Sequence, residues 1–311
     1  MDGAGCSPSE ARHLITQNEE DLFDAATRIR TARFGNRIQL CSIINAKNGL
    51  CDMNCNFCSQ SSRSSAHIRP YPLLNAQTLK EKVRKIIADG NRRCGIVTSG
   101  GKLSRNEIAA LSSAVHSIGQ EQTIPLCTSL GRLDPDEFIA LRKAGITRYH
   151  HNLESSQTFY PGICTTQFWQ ERADTVKSAQ AAGMDVCCGG LFGLGESWDD
   201  RIDLALTLRN LGISSVPINF LCPHEGTPLG NRPLLNASEA LRIIAVFRFI
   251  LPSATLRICG GRTQVLGNRE ADLFAAGANG LMIGDYLTVA GSLYEADLAM
   301  IRRRGLQIEH S

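Results

Sequence analysis

Short runs of aliphatic and β-branched residues alternate along the chain with longer stretches in which apolar residues recur every three or four positions. The short runs are 37–43 (RIQLCSI), 92–98 (RRCGIVT), 122–128 (QTIPLCT), 147–152 (TRYHHN), 184–190 (MDVCCGG), 214–220 (SSVPINF), 253–258 (SATLRI) and 280–283 (GLMI). The longer stretches are 76–89, 104–117, 134–143, 167–182, 198–210, 236–250, 266–275 and 291–304. Several carry helix-start signals, such as Asp134 before Pro135 and Asn236 or Ser238 ahead of the 239–250 run. Strands that alternate with helices predict a parallel sheet. Eight of each predict an α/β chain folded as one complete (βα)8 barrel of the TIM type. Residues 8–32 read as a helical lead-in covering one end. The expected division is therefore a helical extension over 1–36 and a barrel over 37–311. There is no internal repeat, low-complexity tract or long linker.

Barrels of this class carry their chemistry at the C-terminal ends of the strands. The loop after the first strand contains CDMNCNFC, with Cys51, Cys55 and Cys58 in a C-x3-C-x2-C spacing. Three thiolates so close together can hold three irons of a cubane cluster and leave the fourth iron open, where a cluster normally takes four cysteines. Zinc is the competing reading, but it prefers four ligands drawn in C-x2-4-C pairs, and no second pair follows. The spacing, with Phe57 just before the third cysteine, resembles the signature of radical S-adenosylmethionine (SAM) enzymes. That resemblance implies a [4Fe–4S] cluster whose open iron chelates SAM and whose electron cleaves it to a 5′-deoxyadenosyl radical.

Composition narrows the setting. A net charge of +3 spread along 311 residues gives no argument for nucleic acid or a membrane surface. No run of 18 apolar residues occurs, and the first residues lack the regions of a signal peptide, so the expected location is cytoplasmic. Twelve cysteines are many for such a chain. In a reducing compartment they speak for metal binding over disulfides.

The ends of the odd strands sharpen this. Cys41, Cys127, Cys187 and Arg257 close strands one, three, five and seven. Alternate strands share an interior layer in such barrels, so the four could face one another and make a second cluster site. Buried cysteine is also an ordinary core residue, but an arginine inside a barrel needs an anionic partner or a ligand role. The even strands end in Asn152 and Asn219, with Glu154 just beyond. Their amides offer donors and acceptors together, suiting a urea-like or ribose-like group, although loop capping would also account for them. His150 and His151 point to opposite strand faces, so at most one is inward, and a structural role is expected for both. Cys188 and Cys259 are expected to turn outward, Cys94 to be core and Cys6 a terminal thiol. Cys222 lies at the catalytic face, and Cys164 is a reserve ligand there.

GLCDMNCNFCSQSS, YHHNLESSQTFY, TTQFWQERADTV, VCCGGLFGLGES, VPINFLCPHEGTPL and LRICGGRTQVLGNREADLFAAGANGLMIGDYL resemble the biotin synthases, in the family's order and over about residues 37–290. The resemblance implies insertion of sulfur between C6 and C9 of dethiobiotin by a homodimeric radical SAM enzyme, with sulfur drawn from an auxiliary iron–sulfur cluster. It implies that Cys51, Cys55 and Cys58 hold the SAM cluster. Asn152 and Glu154 then match the family's YNHNLD contacts to SAM and substrate, and Asn219 matches its dethiobiotin-binding Asn. Arg172 falls near the SAM carboxylate, and Gly193 and Gly195 where backbone passes SAM. It also implies flavodoxin or ferredoxin as electron donor.

The chain departs from the well-studied enzymes in the auxiliary site. Their [2Fe–2S] cluster takes three cysteines and an arginine. Cys127, Cys187 and Arg257 match, but the strand-two cysteine reads as Ile96 here, and Cys41 stands where a serine is usual. This resembles the second, anaerobe-associated type, whose four-iron auxiliary cluster carries an extra sulfide. The ligands are then expected to be Cys41, Cys127 and Cys187, with Arg257 as charge partner and Arg257 or Cys164 as possible further ligands. The rival readings are another radical SAM enzyme on the same scaffold, such as a maturase or mutase, or a non-catalytic iron–sulfur redox or binding protein.

Overall fold

Eight parallel strand positions close on themselves in the computed structural model, which describes residues 5–284 and 294–309. They are β1 (Arg37–Lys47), β2 (Cys94–Thr98), β3 (Leu126–Ser129), β4 (Arg148–His150), a fifth position split into β5 (Asp185–Cys187) and β6 (Gly190–Phe192), β7 (Ser215–Phe220), β8 (Thr255–Ile258) and β9 (Gly280–Met282). β9 pairs back onto β1 and closes the barrel. A short β10 (Gln307–Ile308) adds to the start of β1. The expected (βα)8 barrel is present.

The helices wrap this barrel. They are α1 (Pro8–Leu14), α2 (Glu19–Phe34), α3 (Ala76–Ala88), α4 (Arg105–Gly119), α5 (Pro135–Lys143), α6 (Trp169–Ala181), α7 (Trp198–Asn210), α8 (Ala237–Ile250), α9 (Arg262–Leu266) and α10 (Tyr294–Arg303). Of the helix expected over 291–304, residues 291–293 lie outside the described residues. α5 starts at Pro135, where Glu137 accepts from the Asp134 amide at 2.7 Å. Asn236, not Ser238, caps α8 by accepting from the Glu239 amide at 2.8 Å. The lead-in forms α1 and α2. α1 packs on α7 and α8, and α2 on α8; from there Thr27 reaches the Ala275 carbonyl ahead of β9 at 2.8 Å.

Two expected elements come out differently. The stretch 266–275 is the short α9 followed by a 3-10 turn over Gly267–Leu273, because Gly267 sits at φ +52° and stops the helix. The fifth strand breaks between Cys187 and Gly190. A Cβ on Gly189 would stand 1.9 Å from the Pro217 carbonyl oxygen, so β7 presses on the chain there and no side chain fits.

The register decides which residues meet inside. From Cys187 the pairings run through His150, then through Ser129 and Val97, to Asn45 on β1. The other way they run through Ser215 and Thr255 and arrive near Arg37. The two routes differ by about eight residues, the stagger of this barrel class. At constant height, therefore, the chain gains about one residue per strand. Cys41 on β1, Cys127 on β3, Cys187 on β5 and Arg257 on β8 then fall in one layer. Beneath it lie Arg93, Arg148, Ser215 and Gly280. Above it come Gly95, His150, Pro217 and Met282, then Ile43, Ser129, Gly189 and Cys259, and then Val97, Asn152 and Asn219.

Candidate active site

One cavity of about 450 Å³ occupies the barrel interior and opens at the C-terminal face. Its rim is the loop after β1. Cys51, Cys55, Cys58 and Phe57 all line it. The loop is built by local hydrogen bonds. The Cys51 amide donates to the Gln60 carbonyl at 3.0 Å, the Cys58 amide to the Cys55 carbonyl at 3.0 Å, and the Ser61 hydroxyl to the Met53 carbonyl at 2.6 Å. Leu50 enters the loop at φ +53°. Burial pushes the Cys58 thiol up to about 11 and raises Cys51 as well. Bound iron would displace these protons, since thiolate is the ligating form. Among the described residues no three Cys, His, Asp or Glu side chains converge on one metal ion. Thiols that each hold a different iron of a cluster have no need to converge, whereas zinc ligands do.

Deeper in the same cavity lie Cys41, Cys127, Cys187 and Arg257. Arg257 is 3% exposed; it gives Nη1 to Ser215 Oγ at 2.9 Å and Nη2 to Gln39 Oε1 at 3.0 Å, while its Nε has no partner. Burial pushes Cys127 up to about 12, with Cys187 and Cys41 adding to the rise. Burial also raises Cys41, against the pull of Arg257. Cys187 goes the other way. Burial alone would raise it, but the hydrogen bond and charge of His150, then Arg257, hold it down at about 6. Soft, buried thiols beside unpaired guanidinium donors suit an anionic iron–sulfur group.

The polar residues at the strand ends form a connected set between the two thiol groups. Asn152 accepts from the Gly189 amide at 3.1 Å and donates to Glu154 at 3.3 Å. Arg172 donates to the Asn152 carbonyl and to Tyr160 Oη, both at 2.8 Å, and stands 3.7 Å from Glu154. Burial opposes the Arg172 charge, yet Glu154, Tyr160 and Cys55 raise its pKa overall. Glu154 adopts φ +68°, a left-handed conformation rare for its type and frequent at functional sites. Asn219 is pinned at both ends, donating to the Gly190 carbonyl at 3.2 Å and accepting from the Gly260 amide at 3.1 Å. Each amide keeps hydrogen-bonding capacity toward the cavity.

Several expectations are corrected. The inward residue on β2 is Gly95, which lines the cavity, while Ile96 points into the outer core. A Cβ on Gly95 would meet Cys127 Sγ and Ile43 Cγ2 at 3.2 Å, tighter than ordinary packing, so glycine here lets Cys127 and Ile43 close in on the backbone of β2. Cys259 faces inward, because it lies two residues beyond Arg257 and strand faces repeat every two. Cys188 and Cys94 do turn outward into the core. Cys164 donates to Asn54 Oδ1 at 3.5 Å and packs beside the loop thiols, away from the auxiliary layer. Gly193 and Gly195 are off the cavity wall. Their amides, at 3.0 Å each, are taken by Glu196, which Arg201 holds at 2.8 Å. His150, given a structural role from sequence, is inward and sits beside Cys187, its register partner on β5. Arg93 and Arg148 line the cavity and were not anticipated. The signal was available: each lies two residues before an inward position.

Known proteins agree with this picture. A profile of the radical SAM superfamily matches residues 48–208, and one of the biotin and thiamin synthesis associated domain matches 217–307. The biotin synthase of Desulfovibrio desulfuricans is 50% identical over 97% of this chain and 96% of its own. That of Geobacter sulfurreducens is 42% identical over 98% and 94%. Among solved structures, methylornithine synthase superposes with a TM-score of 0.84 at 21% identity, covering 99% of this chain and 96% of that one. The [FeFe]-hydrogenase maturase HydG of Carboxydothermus hydrogenoformans gives 0.85 at 19% identity, covering 99% and 76%. At these identities the two structures speak for the shared barrel only.

Proposed function

The chain belongs to the biotin synthases, a radical SAM family that inserts sulfur into dethiobiotin to make biotin, and from that premise we propose how its residues divide the work. Cys51, Cys55 and Cys58 hold the [4Fe–4S] cluster at the cavity rim. Cys41, Cys127 and Cys187 hold the auxiliary cluster in the barrel layer below, a four-iron species with an extra sulfide in preference to [2Fe–2S]. When bound, the first cluster with SAM supplies the 5′-deoxyadenosyl radical that takes hydrogen from C9 and C6, and the second supplies the sulfur.

The protein's own part is placement. Phe57, Glu154 and Arg172 position SAM: Glu154 accepts from its ribose hydroxyls, and Arg172 neutralises its carboxylate while bracing Asn152. Asn152 and Asn219 hold the ureido ring of dethiobiotin, using the hydrogen-bonding capacity that their backbone partners leave. Gly193 and Gly195 act indirectly, since their amides fix Glu196 and the strand-end loop. The barrel walls keep water from the reactive carbon between the two thiol sets. Arg257 balances the charge of the auxiliary group. A one-electron donor of the flavodoxin or ferredoxin class, a homodimer and a cytoplasmic setting accompany this reading on family grounds. Among the described residues, no helix is long and apolar enough to cross a membrane.

The observation that carries the reading is the placement of Cys41, Cys127, Cys187 and Arg257 in one interior layer of the cavity whose rim bears Cys51, Cys55 and Cys58. The test is anaerobic iron and sulfide analysis with Mössbauer spectroscopy on wild type and on the Cys51→Ala/Cys55→Ala/Cys58→Ala variant. About eight irons falling to about four is expected for two four-iron clusters. About six falling to about two would restore a [2Fe–2S] donor. No iron left in the variant would remove the auxiliary cluster.

A further inference from the structure

Cys41, Cys127 and Cys187 give the interior layer three thiols, but iron–sulfur clusters of two or four irons normally take four. The neighbouring positions do not supply the fourth. Gly95 is the residue that β2 turns to the cavity. Arg257 is engaged as a donor, through Nη1 to Ser215 and Nη2 to Gln39, and a guanidinium that keeps its protons has no lone pair for iron. The tier beneath holds Arg93, Arg148, Ser215 and Gly280, none of them a thiol. Above the layer stands Cys259, 4% exposed and turned into the cavity. Its thiol reaches the Arg257 carbonyl at 3.5 Å, a long contact that leaves the sulfur lone pairs free.

The register fixes where this thiol stands. Arg257 pairs with Pro217 and with Gly280, and Gly280 with Gln39. Two residues further along each strand, the rung runs Asn219, Cys259, Met282, Cys41. At its two ends the Cys259 amide bonds the Ile218 carbonyl at 2.9 Å, and Cys41 pairs with Met282. All four rung residues line the cavity. Cys259 and Cys41 are therefore two strands apart, with backbones roughly 9–10 Å from one another and inward side chains closer. Along its own strand Cys259 lies about 6–7 Å beyond Arg257, toward the C-terminal face. A cubane holds its thiolates at the corners of a tetrahedron, so three thiols in one layer call for a fourth above or below them. Cys259 occupies that position, between the auxiliary thiols and Asn219.

Radical chemistry gives an independent reason. Asn219 holds the ureido ring of dethiobiotin, so Cys259 stands beside the substrate whose carbon loses hydrogen. A free thiol there carries its hydrogen at neutral pH, the more so when buried. It would pass that hydrogen atom to the carbon radical, restoring dethiobiotin and leaving a thiyl radical, because an S–H bond is weaker than the C–H bond it remakes. A thiolate bound to iron has no such hydrogen.

We propose that Cys259 is the fourth thiolate ligand of the auxiliary cluster, set above the layer of Cys41, Cys127 and Cys187. The inference rests on the auxiliary-cluster reading and adds to it a ligand that anchors the remaining iron independently of the extra sulfide. The core then stays held when that sulfide leaves for the substrate.

The test is Mössbauer spectroscopy on anaerobically reconstituted wild type, Cys259→Ser and Cys259→Ala. Serine offers oxygen to one iron. Cys259→Ser should therefore move one iron site, about a quarter of the auxiliary signal for four irons or about half for two, to the higher isomer shift of a mixed sulfur–oxygen environment. Cys259→Ala should lose about the same share of auxiliary iron. Formation of 5′-deoxyadenosine within about threefold of wild type in both variants shows that the barrel and the rim cluster are intact. Auxiliary spectra unchanged in both variants overturn the ligand. So does deuterium in dethiobiotin recovered from wild-type turnover in heavy water without added thiols, if Cys259→Ala abolishes it, because only a free thiol exchanges and returns deuterium. Wild type without auxiliary iron would instead sink the assignment of Cys41, Cys127 and Cys187, and Cys259 with it.

Discussion

The rim thiols and the interior thiols reach the same cavity by opposite routes. Cys51, Cys55 and Cys58 share one loop, and short-range bonds such as Cys58 to Cys55 and Ser61 to Met53 shape it. Cys41, Cys127 and Cys187 come from three separate strands and meet only because the register of the whole barrel puts them at one height. A one-residue slip of β3 would leave the rim intact and send Cys127 to the outer face. The rim is thus a local property of the sequence and the interior layer a global one. Charge differs too. The rim has Arg172 already engaged by Glu154 and Tyr160, whereas the interior has guanidiniums with spare donors.

The sharpest way to break this comparison is a matched pair of variants. Cys55→Ala should abolish SAM cleavage, measured as 5′-deoxyadenosine, and leave auxiliary iron in place. Cys187→Ala should keep SAM cleavage within about threefold while biotin falls below detection, because the deleted thiol belongs only to the interior set. Biotin at the wild-type level from Cys187→Ala would mean that the interior layer is core and nothing more.

Gly95→Val probes the global side alone, with a smaller effect. The new Cβ would lie 3.2 Å from Cys127 Sγ, already tighter than ordinary packing, and its methyl groups would crowd the wall of the interior layer further. Overpacking of this kind typically costs about 1–3 kcal/mol of stability. Auxiliary iron and biotin yield should both fall roughly tenfold, in line with such a penalty on cluster seating. Cleavage of SAM should be spared. If the variant keeps its full auxiliary iron content, the space beside Gly95 is not where the cluster sits.

What the sequence made legible follows the same division. The eight βα units, the C-x3-C-x2-C loop and the odd-strand layer could all be read from periodicity and spacing. The errors came where one residue of register matters. Ile96 reads as the strand-two site position, whereas Gly95 is the residue that lines the cavity, and Cys259 reads as outward although it repeats the face of Arg257. Strand ends are hard to fix because pairing, not propensity, decides them; β4 covers only Arg148–His150 of an expected 147–152. Arg148 and Arg93 went unnoticed because arginine at a strand start ordinarily reaches solvent. Cys164 was misplaced for another reason: the loop after β4 folds back across the rim, where the Asn56 amide meets the Ile163 carbonyl at 2.9 Å and Asn54 binds Thr165 and Thr166. No local pattern announces that contact.

That fold-back gives the finest test of the comparison. Cys164 packs beside Cys55, and its thiol donates to Asn54 Oδ1 at 3.5 Å. With iron bound, Cys55 is a thiolate, and the Cys164 thiol beside it turns from Asn54 to donate to it. Hydrogen bonds to cluster sulfurs raise the reduction potential. Cys164→Ala removes the donor and should lower the potential of the SAM cluster by a few tens of millivolts, roughly the scale of one weak hydrogen bond. Cys164→Ser keeps a donor and should recover much of the shift. Iron content should stay at the wild-type value in both, because Cys164 supplies no ligand. The auxiliary potential should not move, since Cys164 packs with the rim thiols and is absent from the interior wall. Spectroelectrochemical titration of both clusters reads the two potentials separately. A shift confined to the auxiliary cluster would return Cys164 to the interior set and dissolve the division between rim and layer.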